Sequence, residues 1–248
     1  MTRGSNEVAV AATNNVLQSE AVLAVLGSSG SFTDDFWSND HSFDIPYANG
    51  ATLGSAENRA GHQAAIERLS ASRSPETRTH IMDSWAALDL TPLGFRVLVT
   101  DEWFVRKTPP EVSPAAATDG IEIIQTPDGL AEFERASVLG FGGAPPYHPG
   151  HTYPAALLAD DRFTFFGLRI DGELASGVFL FRDPACVGVF TFFTIRGYRG
   201  KGLGTILLQE ALSHAPDTPI ATNPSAMSRG IFEQLGFRSI GARRIWAR

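Results

Sequence analysis

The stretch Tyr198–Leu208, YRGKGLGTILL, constrains this chain more than any other segment. Three glycines (Gly200, Gly202, Gly204) and two cations (Arg199, Lys201) lie within six residues, between the apolar run CVGVFTFFT and an apolar helical pattern. The run reads as a buried strand, and Leu203, Ile206, Leu207 and Ala211 mark one face of a helix over 203–214. A strand that passes through a glycine turn into a helix leaves the first helical N–H groups without intrahelical partners, at the positive end of the dipole. Such a junction attracts anions. Glycine lets the loop tighten and lets an anion approach the backbone, while Arg199 and Lys201 add charge suited to phosphate oxygens. A solvated basic turn is the plainer alternative; the buried strand before it and the amphipathic helix after it argue against that.

The same logic divides the rest of the chain. Thr108–Gly120, TPPEVSPAAATDG, is rich in Pro, Ala and small polar residues and reads as an extended linker between residues 1–107 and 121–248. After it come a short strand (121–124), a helix (128–139) and a Gly/Pro-rich loop, GFGGAPPYHPGHTYP. Asp171-Gly172 between RFTFFGLRI and ELASGVFLF marks a tight hairpin. PIATN predicts a further strand, and a helix over 225–235 closes on Gly236 before a last strand or pair, FRSIGARRIWAR. The end of the N-terminal half echoes this ending. LTPLGFRVLVTDEWFVR (90–106) parallels FEQLGFRSIGARRIWAR (232–248), which points to a faded internal duplication. Where the second copy has its basic glycine loop, the first has YANGATLGSAENRAG, with no Arg or Lys between Arg3 and Arg59.

The glycine spacing excludes two common phosphate loops. Lys201 is followed by Gly202 rather than Ser or Thr, so the P-loop pattern fails; Thr205 breaks the dinucleotide fingerprint. Arg199-x-x-Gly202-x-Gly204 instead resembles the Arg/Gln-x-x-Gly-x-Gly/Ala signature of the GCN5-related N-acetyltransferase (GNAT) superfamily. IFEQLGF (231–237) is similar to that family's closing helix, and the resemblance covers roughly 121–248. It implies an α/β (α+β) fold with a mixed, mostly antiparallel sheet flanked by helices, a catalytic domain at 121–248, and a degenerate partner of similar fold at 1–107.

The resemblance further implies acetyl-CoA as acetyl donor; scattered histidines and the lack of an HExxH or CxxC pair point to no metal site. The donor's pyrophosphate would rest on Arg199, Gly200, Lys201, Gly202, Leu203, Gly204 and Thr205. The backbone of Phe192, Phe193, Thr194 and Ile195 would hold the pantetheine arm and orient the acetyl carbonyl, with Asn223 reaching the same arm and Phe232 beside it. The acceptor would be a primary amine of a small molecule or peptide. One departure stands out: Phe232 occupies the place where the family usually has a tyrosine credited with protonating the departing thiolate. Ser225 or Ser228 on the same helix, or water, are the remaining donors, and a CoA-binding sensor or scaffold without efficient turnover is the alternative function. His148 and His151 are the base candidates, being the side chains that titrate near neutrality in the loop before the hairpin; exposed histidines without a role are the bland reading. Glu132 and Glu173 read as a solvated helix face and a turn charge.

The eight phenylalanines from Phe163 to Phe193 crowd the central strands, where most must be core and one or two are left to line an acceptor pocket. Composition narrows the remaining classes. A net charge of −7 argues against a general nucleic-acid binder. The single cysteine, Cys186, permits no internal disulfide and points to a reducing cytoplasm, where it reads as a small core hydrophobe in a strand. No uninterrupted apolar run approaches the ~20 residues of a membrane helix; VLQSEAVLAVL carries Glu20 and reads as a short helix. The six histidines are scattered, with no HExxH motif. A homodimer is compatible with all of this.

Overall fold

The computed structural model describes residues 3–74, 76–107 and 119–248. Most of the expected linker, 108–118, lies outside the described residues. Along the chain run α1 (Arg3–Val25), β1 (Ser31–Phe32), β2 (Phe36–Ser38), β3 (Gly50–Thr52), α2 (Arg59–Ser72), β4 (His80–Asp83) and β5 (Arg96–Arg106). Then follow β6 (Ile121–Ile123), α3 (Pro127–Gly140), β7 (Phe163–Ile170), β8 (Glu173–Arg182) and β9 (Val187–Thr194). The chain ends with α4 (Leu203–Ser213), β10 (Ile220–Thr222), α5 (Arg229–Gln234) and β11 (Arg238–Ala247).

Two compact units divide these elements. One comprises Met1–Val105, Thr222–Phe232 and Phe237–Arg248; the other comprises Arg106–Ala221 and Glu233–Gly236. This corrects the boundary drawn from sequence. The last strand, expected inside a domain spanning 121–248, belongs to the first unit because β11 hydrogen-bonds antiparallel to both β4 and β5.

In the first unit the strands run β1-β2-β3-β4-β11-β5, antiparallel except for β3 and β4. The sequence echo is seated here. Strand β5 pairs with β11 so that Arg96 meets Ala247 and Val105 meets Arg238, the symmetric register expected of two copies of one segment. Each copy enters its strand through a left-handed glycine, Gly94 (φ 80°) or Gly236 (φ 82°). Helix α1 is much longer than the short helix expected. Its span Asn6–Val25 is long and apolar enough to cross a membrane by length and composition, and 56% of it is buried within the protein. Ala12, Val22 and Leu23 are fully buried. The one acid in the apolar stretch is satisfied, since Glu20 accepts the Gly30 N–H (2.7 Å) and the Trp37 indole N–H (2.9 Å).

In the second unit the strands run β10-β9-β8-β7-β6, antiparallel except for β9 and β10. The Asp171-Gly172 turn joins β7 to β8 with both residues at positive φ (51° and 83°), the primed turn the sequence predicted. Phe163, Phe165, Phe166, Phe179, Phe181 and Phe193 are buried, and only Phe190 and Phe192 are partly open. Phe193 sits in a slot made by two glycines. A Cβ on Gly177 would stand 2.5 Å from its Cε1, and one on Gly140 would stand 2.8 Å from its Cβ. Strand β9 is thereby seated directly on α3 and β8.

Replacing Gly177 with alanine forces that ring out of its slot. Overpacking of this kind costs ~1–3 kcal/mol, so Gly177→Ala is expected to lower the urea midpoint with the m-value unchanged, while the exposed Gly172→Ala leaves core packing untouched.

Candidate active site

The junction that opened the sequence reading is built as follows. Strand β9 ends at Thr194, a short turn carries Arg196–Tyr198, and α4 starts at Leu203. The residue before the helix is Gly202, in the left-handed conformation (φ 77°), and Gly200 shares it (φ 75°). A Cβ at either position would meet nothing within 4 Å, so backbone conformation rather than crowding requires glycine there. Gly204 differs: its Cβ would lie 2.9 Å from the Thr194 hydroxyl and 3.0 Å from the Phe192 ring, so it permits close approach of α4 to the end of β9.

No side chain caps α4 among the described residues. The first intrahelical bond runs from Ile206 N–H to Gly202 carbonyl (3.1 Å), so the N–H groups of Leu203, Gly204 and Thr205 form the open first turn. The corresponding helix of the first unit shows the opposite. At the start of α2, Asn58 accepts the Gly61 N–H (3.2 Å) and donates to Asp35 (2.6 Å). There a side chain fills the anion position and a carboxylate stands beside it, which excludes phosphate.

Strand β9 is irregular where the chemistry was expected. Gly177 pairs with Phe193 and Phe179 with Phe190, so Thr191 and Phe192 together face the single residue Val178. This is a β-bulge, and Thr191 carries a positive φ of 50°. A β-branched residue held there is strained by ~1–2 kcal/mol. On its other edge β9 registers with β10 only at Val187↔Ile220 and Gly188↔Ala221.

The predicted site residues have these partners. Arg199 was expected on phosphate. Its Nε donates to the Thr194 carbonyl (2.9 Å) and an Nη donates to the Gly140 carbonyl (2.6 Å), so it braces the turn against the C-terminal end of α3. Ile195 is engaged at both backbone groups, its N–H donating to the Ala175 carbonyl and its carbonyl accepting the Tyr198 N–H. The Phe193 carbonyl accepts the Ser176 hydroxyl (2.6 Å), and its ring is core. Lys201 is exposed, with its Nζ 5.5 Å from the centre of the Tyr198 ring.

Asn223, Ser228 and Phe232 belong to the first unit. Asn223 is half-buried just after β10. Ser228 donates to the Ser225 carbonyl (3.3 Å) and lies 3.0 Å from its hydroxyl, so it serves the turn that opens α5, which is why that helix is shorter than expected. Phe232 is 1% exposed and meets Phe237 edge-on at 5.2 Å, a core side chain rather than a lining one.

His148 and His151 are exposed, with ring centres 6.4 Å apart. They line a cavity of about 320 Å³ with Glu132, Arg135, Tyr147 and Thr152, between α3 and the loop that follows it. Glu132 is not a merely solvated charge: Arg169 bonds it at 2.6 Å and holds its carboxyl below the ordinary carboxylate range. Cys186 is buried just before β9, and burial together with Asp183 pushes its thiol far up, which removes it as a nucleophile.

Two residues that shape this region went unassigned. Buried Glu134 accepts the N–H groups of Gly150 (2.6 Å) and Thr152 (2.5 Å), tying the histidine loop to α3. The available signal was phase, since Glu134 stands one turn after Leu130 and one before Val138 on an otherwise apolar face. Tyr153 bonds Thr191 at the bulge (2.6 Å), a contact no local pattern announces.

Residues 131–237 match the model of the acetyltransferase (GNAT) family. Comparison with proteins of curated function returned no match. Among solved structures, a GNAT-family protein from Novosphingobium aromaticivorans DSM 12444 is similar over 96% of this chain and 95% of its own, with 18% identity and a TM-score of 0.62. A GCN5-related N-acetyltransferase from Kribbella flavida is similar over 94% and 95% (12% identity, TM-score 0.62). A third, from Sphaerobacter thermophilus, covers 80% of this chain and 71% of its own (13% identity, TM-score 0.53). At these identities the likeness is one of fold, and the first two extend it through both units.

Gly202→Val tests the junction. A β-branched residue in the left-handed region costs ~1–2 kcal/mol, which resets the loop and misaims the open N–H groups. CoA affinity measured by calorimetry is expected to fall by about tenfold or more, a loss of one hydrogen-bonded charge contact or greater.

Proposed function

We propose that the chain is an acetyl-CoA-dependent N-acetyltransferase acting on a primary amine by direct attack in a ternary complex. The observation that carries this reading is the open first turn of α4, entered through left-handed Gly202 and left without a side-chain cap. Acetyl-CoA supplies the activated thioester. The N–H groups of Leu203, Gly204 and Thr205, with Lys201 nearby, suit its pyrophosphate. Its pantetheine arm is assigned to the edge of β9 from Phe192 to Thr194, where the bulge lies and the acetyl carbonyl would be oriented.

The acceptor is assigned to the cavity lined by His148 and His151. An alkyl amine with a pKa near ~10 is about one part in a thousand neutral at pH 7, a handicap of roughly 4 kcal/mol. A neutral imidazole in that cavity offsets it by taking the proton. No general acid is assigned: Phe232 has no proton to give and Ser228 is held in its own turn. The thiolate of CoA leaves without one or takes a proton from water. An acyl-enzyme is not proposed, since Cys186 is buried, and burial with Asp183 beside it pushes its thiol up. A reducing compartment such as the cytoplasm suits this single buried cysteine.

The buried Phe232 favours one alternative, a CoA-binding sensor. Thiol release from acetyl-CoA against a panel of primary amines separates the two. Turnover with at least one amine supports the transferase; tight CoA binding with no turnover favours the sensor; absence of CoA binding overturns both. In the transferase, replacing the histidine that serves as base with alanine lowers kcat by ~10²-fold or more and leaves the CoA dissociation constant unchanged.

A further inference from the structure

Tyr153 follows the histidine loop and is itself 5% exposed. Its ring stands edge-on to Phe133, Phe165 and Phe179, with centres 5.8, 5.9 and 5.6 Å away, which leaves it one orientation. The backbone just before it is pinned by the Glu134 carboxylate through Gly150 and Thr152. From this fixed base the phenol oxygen reaches to 2.6 Å from the hydroxyl of Thr191, 38 residues further along the chain. Thr191 is the bulge residue at φ 50°, and the next residue is Phe192.

A bulge built on a strained β-branched residue is not self-sustaining. Relaxing Thr191 to negative φ reorients the peptide groups on either side of it, even while Phe193 stays in its slot. The aromatic ring alone does not prevent this, because phenylalanine fills the same space. The hydroxyl contact does, by tying the side chain of the strained residue to an element outside the sheet.

We propose that Tyr153 is a positioning residue for acyl transfer: through its hydroxyl contact with Thr191 it holds the shape of the β9 bulge, in the stretch assigned to the acetyl-pantetheine arm. The inference rests on the acetyl-CoA reading above, since the shape of the bulge matters only if a thioester lies against it. Tyr153 itself exchanges no proton with either substrate in this role.

The experiment compares wild type with Tyr153→Phe, Thr191→Val, the double variant and Thr191→Ser, each verified as folded by circular dichroism. Two readouts are taken. One is thiol release from acetyl-CoA with an alkylamine, an arylalkylamine, an aminoglycoside and a peptide with a free N-terminus. The other is the affinity for acetyl-CoA relative to CoA, by calorimetry. Tyr153→Phe is expected to lower kcat by ~10–100-fold, the scale of a small misplacement of reacting groups, with KM for acetyl-CoA within about twofold of wild type. Thr191→Val matches it, the double variant is no worse than either single because one contact is lost in all three, and Thr191→Ser, which keeps a hydroxyl, recovers most of the rate. The acetyl-CoA preference over CoA falls in parallel and decides the matter even where no amine is turned over. Unchanged kcat and preference in Tyr153→Phe, or losses that multiply in the double variant, overturn this inference alone. A wild-type protein that binds neither acetyl-CoA nor CoA removes the parent reading and this inference with it.

Discussion

The seating of Phe193 between Gly140 and Gly177 is the contact on which the site depends. A benzyl ring in a slot floored by two glycines fixes β9 against both α3 and β8, leaving little room for the strand to shift. Everything of interest hangs from that strand. Two residues before Phe193 lies the strained Thr191; one residue after it, Thr194 passes its carbonyl to Arg199. Arg199 also grips Gly140, the same residue that floors the slot. Packing on one side and an arginine brace on the other thus meet at the C-terminal end of α3. The glycine turn projects from a rigid base, which an anion site made of backbone amides requires, because amides that drift contribute little.

The two units show how little separates a binding site from a scaffold. Both contain a parallel strand pair joined through a helix, β3–α2–β4 and β9–α4–β10. In one, Asn58 caps the helix and Asp35 sits against the cap; in the other, a left-handed glycine leaves the first turn open. An amide side chain and a carboxylate are enough to turn an anion site into an ordinary helix start. The fold tolerates both, because sheet register and core packing do not depend on what occupies that turn.

Much of the second unit was legible from the residues. The Asp171-Gly172 turn, the glycine junction and the apolar faces of α3 and α4 each declare themselves locally, through positive-φ chemistry or helical phase. What escaped was set by distant partners. Arg199 reads as a phosphate ligand by its neighbours, yet Gly140, 59 residues earlier, takes its guanidinium. Ile195 lies in the expected register, but Ala175 claims its amide. Strands β1, β2 and β3 have two or three residues each, too short for alternation to show. Ser228 sits on the expected helix in sequence, and its bond to Ser225 makes it part of the turn before it. Helix α1 looked short because Glu20 interrupts its apolar face, and the acid is matched by Trp37, which nothing nearby foretells.

The placement of β11 has a consequence for how the protein comes into being. Residues 106–221 are almost the whole of one unit, and they emerge from the ribosome together. The other unit begins earlier, but β4 and β5 gain their shared neighbour only from residues 238–247. The half that is made first is therefore completed last, once residues 238–247 have been made, and until then β4 and β5 lack the strand that joins them.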